Sequence, residues 1–209
     1  MKLHEGWFWP DNSPDGWTSR LPVVNGRVSY AGKVIIRAIA ACKRKRVAID
    51  GGAHIGLLSA PMLRQFKRVH AFEPAPDNFE CLELNCPSAK LTRHRAALAE
   101  RSGVGVLHGM DGKPMGHSLE SFRGGATLEV TTIALDDLRL SNVDLIKLDL
   151  EGGEYAALLG AQETITRCRP VVLIEEKFDP ERRASALLER LGMVRTYETK
   201  RDRLFIWTT

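Results

Sequence analysis

Apolar and polar positions change period repeatedly along the chain, and each change marks an element. KVIIRAIAAC, Lys33 to Cys42, repeats its apolar residues at helical spacing and predicts a helix with one buried face. RVAID, Arg46 to Asp50, follows as a short buried strand running into the turn GGAHIG. A helical stretch from Ile55 to Phe66 and a second strand, VHAFE from Val69 to Glu73, complete a βαβ unit. The alternation continues with a helix over 77–85, a short strand over 90–93, a polar Gly-rich middle and a strand from Val143 to Leu148. A helix from Glu154 to Arg167, the strand VVLIEE from Val171 to Glu176 and a helix from Glu181 to Leu191 follow.

Strands alternating with helices imply a largely parallel sheet covered on both faces, because parallel neighbours need a crossover that a helix supplies. The chain ends differently. Met193 to Glu198 and Arg203 to Thr208 both read as strands, and only Thr199-Lys-Arg-Asp202 separates them, so they form an antiparallel hairpin. A parallel sheet closed by a reversed strand is the architecture of Rossmann-like class I methyltransferases. The expected fold is therefore α/β, with a mostly parallel seven-stranded sheet, a reversed C-terminal strand and helices on both faces. With 209 residues, one sizeable core is expected rather than two. The expectation is a single domain: a Trp-rich segment and helix over 1–44, then a Rossmann-like core over 45–209.

Composition narrows the function classes. The net charge of +4 is scattered, except in Lys43-Arg-Lys-Arg46, which reads as the solvated C-terminal turn of a helix. No interleaving of aromatic and basic residues supports nucleic acid, which is not expected as a partner. Cys42, Cys81, Cys86 and Cys168 form neither a CxxC pair nor a Cys/His cluster with zinc spacing, so no metal is expected. MKLHEGWFWPDNSPDG has none of the clean apolar stretch of a signal peptide, and no segment approaches the roughly 20 apolar residues of a membrane span. A cytoplasmic protein is expected.

In open α/β sheets ligands bind outside the carboxyl ends of the strands, so the residues ending each strand are the ones to inspect. They are Asp50, Glu73, Asp149 and Glu175/Glu176. The turn Asp50-Gly-Gly-Ala-His-Ile-Gly56 puts small residues where backbone must turn sharply and approach a ligand. It lacks the dinucleotide pattern GxGxxG, since Ala53 occupies the middle glycine's position, but it matches the acid-first turn of methyltransferases. An acid there suits the positively charged amino-acid end of S-adenosylmethionine and repels a pyrophosphate. Glu73 ends the second strand, where a carboxylate can accept hydrogen bonds from both hydroxyls of a ribose.

VAIDGGAHIG, AFEPAPDNFECLELN, RAALAE, TTIALDDL, DLIKLDLEGGEYAALLGA and PVVLIEEK, in this order, resemble the successive blocks of the FkbM family of S-adenosylmethionine-dependent methyltransferases. The resemblance runs from about Arg46 to Lys177, and KLDLEGGE is its most specific block. It implies S-adenosylmethionine as methyl donor, and an oxygen of a sugar or natural product as the usual acceptor. On this resemblance Asp50, Gly52, Ala53, His54, Gly56, Glu73, Pro74, Ala97 and Asp149 are the cofactor-binding candidates. His54 stands where the family often has Asn.

Within IKLDLEGGEY the acids Asp149, Glu151 and Glu154 follow a buried strand directly, where burial of an unpaired carboxylate costs several kcal/mol. A sulfonium and helix-terminal amides would offset that cost. Asp149 is the first candidate for orienting or deprotonating the acceptor and Glu151 the second, while Glu154 braces the turn. Lys147 shares a strand face with Asp149 and is expected to pair with one of the acids. His117, in Gly116-His-Ser-Leu119, is a third candidate base. Trp7, Trp9 and Trp17 are read as staples over the core in preference to a sugar-stacking platform. The partner is expected to be a small-molecule or glycan acceptor. An NAD-dependent oxidoreductase and a catalytically inactive cofactor-binding module are the rival readings.

Overall fold

The computed structural model of the protein describes residues 1–4, 6–11, 13, 23–24, 27–28, 33–110, 113–119 and 127–208. Its seven-stranded sheet is built from β1 (Val47–Gly51), β2 (Arg68–Phe72), β3 (Leu91–His94), β4 (Val143–Leu148), β5 (Val171–Glu175), β6 (Met193–Glu198) and β7 (Asp202–Trp207), and the strands lie in the order β6-β7-β5-β4-β1-β2-β3. β1 to β5 pair in parallel, and β7 runs antiparallel between β5 and β6. This is the expected class I methyltransferase fold with its one reversed strand. The order reverses between β1 and β4, so their carboxyl ends flank the switch point where such sheets bind ligands.

Helices cover both faces because the strands are apolar on both. α1 (Lys33–Ala41), α2 (Ser59–Gln65) and α3 (Pro76–Asn85) pack with Ile35, Met62, Leu82 and Phe66 in one buried cluster. α4 (Glu154–Leu159), α5 (Gln162–Cys168) and α6 (Arg183–Arg190) enclose Ile49, Ile146, Val172 and Phe205 on the other face. Trp7 and Trp9 join the first cluster, with relative exposures of 5% and 2%. Asn85 fastens that segment to α3: its Oδ1 accepts the Phe8 N–H at 2.7 Å and its Nδ2 donates to the Phe8 carbonyl at 2.9 Å. Trp7 and Trp9 are thus core staples, as expected. Trp17 lies outside the described residues.

Two helices differ from the sequence reading. The helix expected over Ile55 to Phe66 begins only at Ser59, because Gly56 is in left-handed backbone at φ 97°, packed so closely on Cys86 that a Cβ would come within 2.7 Å of its sulfur. The helix expected over Glu154 to Arg167 is two helices. Gly160 separates them, and its backbone lies so close to the Ala99 carbonyl that a Cβ would stand 2.2 Å from it. Asp136 then accepts the Glu163 and Thr164 N–H groups at 3.0 and 2.7 Å, giving α5 a start of its own.

The polar Gly-rich middle contains a second sheet. Gly103–Met110 pairs antiparallel with Lys113–Ser118 and with Thr127–Ile133, and Ala97–Leu98 adds a short parallel edge. GVGVLHGM hides its strand because the valines point outward, Val104 at 70% exposure and Val106 at 46%, while glycine takes the inner position between them. Among the described residues no helix is long and apolar enough to cross a membrane.

Candidate functional site

The glycine turn after β1 is fastened to the end of β2. Gly52 and Ala53 donate their N–H groups to the Phe72 carbonyl, each at 3.0 Å, and the His54 N–H donates to Glu73 Oε2 at 2.8 Å. Glu73 Oε1 accepts the Ala75 N–H at 3.0 Å and Asn78 Nδ2 at 3.3 Å. Burial raises the Glu73 carboxyl above the ordinary range against these donors. On its other flank the turn meets β4: Gly52 has φ 71°, and a Cβ there would stand 1.9 Å from the Asp149 carbonyl oxygen. Only glycine permits that approach.

Beneath the turn lies a buried ion pair. Lys147 and Asp50 are register partners across β4 and β1, and Lys147 Nζ reaches Asp50 Oδ1 at 3.0 Å and the carbonyls of Gly51 and Gly52 at 3.0 and 2.9 Å. Ser59 Oγ donates to Asp50 Oδ2 at 2.6 Å. Lys147 therefore does pair with an acid, but with Asp50 on the neighbouring strand and not with one of its own block. Both oxygens of Asp50 are engaged and the residue is fully buried. Its hold on the turn runs through Lys147.

The turn 149–153 has its own anchor. Glu154 is buried at 2% exposure; it accepts the Leu150 N–H at 2.6 Å and the Gly152 N–H at 3.1 Å, the bracing role expected of it. It holds Glu151 in left-handed backbone, φ 52°, an unfavourable state for a residue with a side chain. Burial pushes the Glu154 carboxyl up to about 7, with the Asp149 charge adding to it. A carboxyl raised in the folded state stabilises the fold below its unfolded value and loses that contribution as pH rises through its folded value. His70, pushed down to about 4 by burial and by His94, acts in the opposite sense up to its ordinary 6.5. The fold should therefore lose stability from pH 6.5 upward, through about 7 for Glu154 and about 8 for Glu175, and urea midpoints measured across that range should fall less in Glu154→Gln than in the parent.

A cleft of about 120 Å³ opens at the carboxyl ends of β4 and β5. Lys147, Asp149, Glu175, Arg201 and Asp202 give it a charged wall, and Val34, Ile35, Leu58, Leu148 and Leu173 an apolar one. Asp149, Glu151 and Glu175 each bring a carboxylate oxygen within 4.8 Å of the others. Burial first, then repulsion from Asp149, pushes Glu175 up to about 8. Glu176 is not in this cleft: it accepts the N–H and hydroxyl of Ser185 at 2.8 and 2.6 Å at the start of α6. Sequence reasoning named Glu175 and Glu176 together as one strand end, and missed Arg201 and Asp202 entirely. The alternation in VVLIEE was the available signal, since Glu175 shares a face with Leu173.

Of the remaining candidates, Ala53 and Gly56 are buried within the glycine turn and Pro74 is half-buried beside Glu73. Ala97 belongs to a small buried cluster with Ala75, Leu107 and Val130. His54 has φ 53° and presents its ring edge to Trp9 at 6.3 Å between centroids. His117 pairs through its backbone opposite Gly109, and its side chain lies outside the described residues.

Residues 50–203 match the Methyltransferase FkbM domain. The chain belongs to the FkbM methyltransferase family. No curated protein sequence matches it. Its fold is similar to the crystal structure of an FkbM methyltransferase from Methylobacillus flagellatus, with a TM-score of 0.55 and 19% identity. That match covers 77% of this chain and 43% of the other, so the chain spans less than half of that relative. A precorrin-6y C5,15-methyltransferase from Geobacter metallireducens matches with a TM-score of 0.51 and 15% identity over 85% and 88% of the two chains. An rRNA methylase from Streptococcus thermophilus gives 0.52 and 9% over 85% and 95%. At these identities the likeness is one of fold, and folds of this kind host unrelated acceptors.

S-adenosylmethionine is the cofactor of the FkbM family, and the donor set of the site suits it. Glu73 offers a carboxylate at the end of β2, where ribose hydroxyls need an acceptor. Asp149, Glu151 and Glu175 gather their carboxyls at the neighbouring strand ends, where Lys147 is already paired with Asp50, a setting that suits a cationic ligand.

Proposed function

We propose that this FkbM-family protein is a cytoplasmic enzyme that transfers a methyl group from S-adenosylmethionine to a hydroxyl oxygen of a small polar acceptor, a sugar or a comparable polyol. The cleft, whose charged wall holds Asp149, Glu175 and Asp202 with Lys147 and Arg201 and whose other wall is apolar, carries this reading. Carboxylates suit the hydroxyls of such an acceptor and the aliphatic wall suits the C–H face of its ring. A phosphorylated or nucleic-acid acceptor is disfavoured by the same acids.

In this reading Glu73 and Pro74 hold the adenosine end of the cofactor, the turn Gly52 to Gly56 holds its amino-acid end, and Ala97 borders the base. When bound, the cofactor supplies a methyl group made electrophilic by its attachment to a positively charged sulfur. Asp149 orients the acceptor hydroxyl and accepts its proton as the new oxygen–carbon bond forms. Glu151 is the second candidate for that role, and His117 the third. The Lys147–Asp50 pair and Glu154 fix the two turns that meet at Gly52 and Asp149.

Calorimetry with S-adenosylmethionine and with NAD separates this reading from an oxidoreductase, and labelled-methyl transfer to a panel of sugars and polyols separates it from an inactive binding module. Glu73→Ala should weaken S-adenosylmethionine binding by about 1.5–3 kcal/mol, the range for hydrogen bonds to a charged group. Unchanged affinity in the folded variant removes Glu73 from the site.

A further inference from the structure

Glu175, an acid of the cleft, has no part in the transfer as proposed. Glu175 ends β5, its side chain is 13% exposed, and it faces Asp149 across the gap between β5 and β4. Building on the reading of this cleft as the acceptor site, we propose that Glu175 is a positioning residue of the methyl transfer. It keeps the proton of a hydrogen-bonded carboxyl pair with Asp149 and so presents Asp149 to the acceptor as the ionised member.

The geometry asks for such a proton. The carboxyls of Asp149, Glu151 and Glu175 crowd together, each with an oxygen within 4.8 Å of the others. Two carboxylates at that separation repel unless one of them carries a hydrogen. Local charges then decide which acid carries it. Glu175 is largely buried and feels Asp149 and Glu151 together, and both effects raise its carboxyl, to about 8. Of the two cations in the cleft, Lys147 is held by Asp50 and the Gly51 and Gly52 carbonyls, and Arg201 brings its Nη1 to 3.7 Å from Glu175 Oε1 on a side chain that is 61% exposed. A contact of that length to an exposed arginine is too weakly coupled to hold Glu175 ionised. Asp149 instead follows the strand end directly, in the turn clamped by Glu154.

The consequence for the reaction is positional. A neutral Glu175 donates its O–H to one oxygen of Asp149 and leaves the other oxygen for the acceptor. The acceptor proton passes to Asp149 as the oxygen–methyl bond forms; the sulfur–methyl bond breaks and its electron pair remains on the sulfur. Glu175 retains its own proton throughout. The proton gained by Asp149 leaves afterwards through the open cleft to water.

The test needs neither acceptor nor cofactor. The full-length protein, labelled with carbon-13 at the glutamate side-chain carboxyls, is titrated by NMR from acid to alkaline pH, and the Glu175 signal is identified by its loss in Glu175→Gln. The expected midpoint is about 8, and Asp149→Asn should lower it by roughly one unit or more, because the neighbouring charge is gone. A midpoint in the ordinary carboxylate range overturns the proposal, as does one unmoved by Asp149→Asn; Glu175 is then simply the ion-pair partner of Arg201. Calorimetry with S-adenosylmethionine is run alongside. Intact cofactor binding with a failed titration overturns this inference alone, whereas a parent protein that does not bind S-adenosylmethionine overturns the functional reading beneath it.

Discussion

Replacing Lys147 with methionine should destabilise the protein by about 3–5 kcal/mol, the usual cost of removing one partner from a buried ion pair. For a chain of this size that lowers the melting temperature by roughly 6–20 °C. The side chains of Lys147 and Asp50 are 4% and 0% exposed, so water cannot replace the lost ammonium. The variant leaves Asp50 Oδ1 without its countercharge and the Gly51 and Gly52 carbonyls without their donor. The last two also carry the turn that Gly52 presses against Asp149, so S-adenosylmethionine affinity should fall with stability. The double variant Lys147→Met, Asp50→Asn should recover part of the loss, because an amide needs no countercharge and can still accept the Ser59 hydroxyl. Thermal melts and calorimetry on the four members of the cycle measure the coupling. A single variant within 1 kcal/mol of the parent would falsify the pair as a structural clamp.

That clamp illustrates what the sequence made legible. Periodicity located every strand of the seven-stranded sheet to within a residue or two, because continuous apolar runs bounded by charged or glycine positions have few other uses. The reversed strand followed from a four-residue connection too short for a crossover. Parity predicted that Lys147 would meet an acid, but could not choose between its own block and the next strand: the register of β4 on β1 brings Asp50 opposite. The same blindness to register explains Glu175 and Glu176. They are adjacent in sequence, yet one lines the cleft and the other caps α6. Arg201 and Asp202 were invisible as cleft residues, since only the antiparallel pairing of β7 beside β5 brings the hairpin turn over Glu175. The small second sheet was missed for another reason. In its longest strand Val104 and Val106 face outward with a glycine between them, so the polar and apolar alternation carries the opposite sign from a half-buried strand.

Asp149→Asn should reduce turnover by on the order of 10²-fold or more, with S-adenosylmethionine affinity held within a few-fold, since a general base contributes about 10²–10⁴ and the amide preserves shape. Labelled-methyl transfer to whichever polyol the panel identifies, together with calorimetry, measures the two quantities separately. Asp149 lines the cleft directly, whereas Glu151 is held in left-handed backbone on the far side of Leu150. Glu151→Gln should accordingly cost less turnover than Asp149→Asn. A larger loss in Glu151→Gln reverses the two roles, and the strained backbone at Glu151 is then what aims the base. If both variants turn over at the parental rate, the acids of this block serve the turn alone: Glu154 already satisfies the Leu150 and Gly152 amides, and proton removal must then be sought at Glu175 or His117.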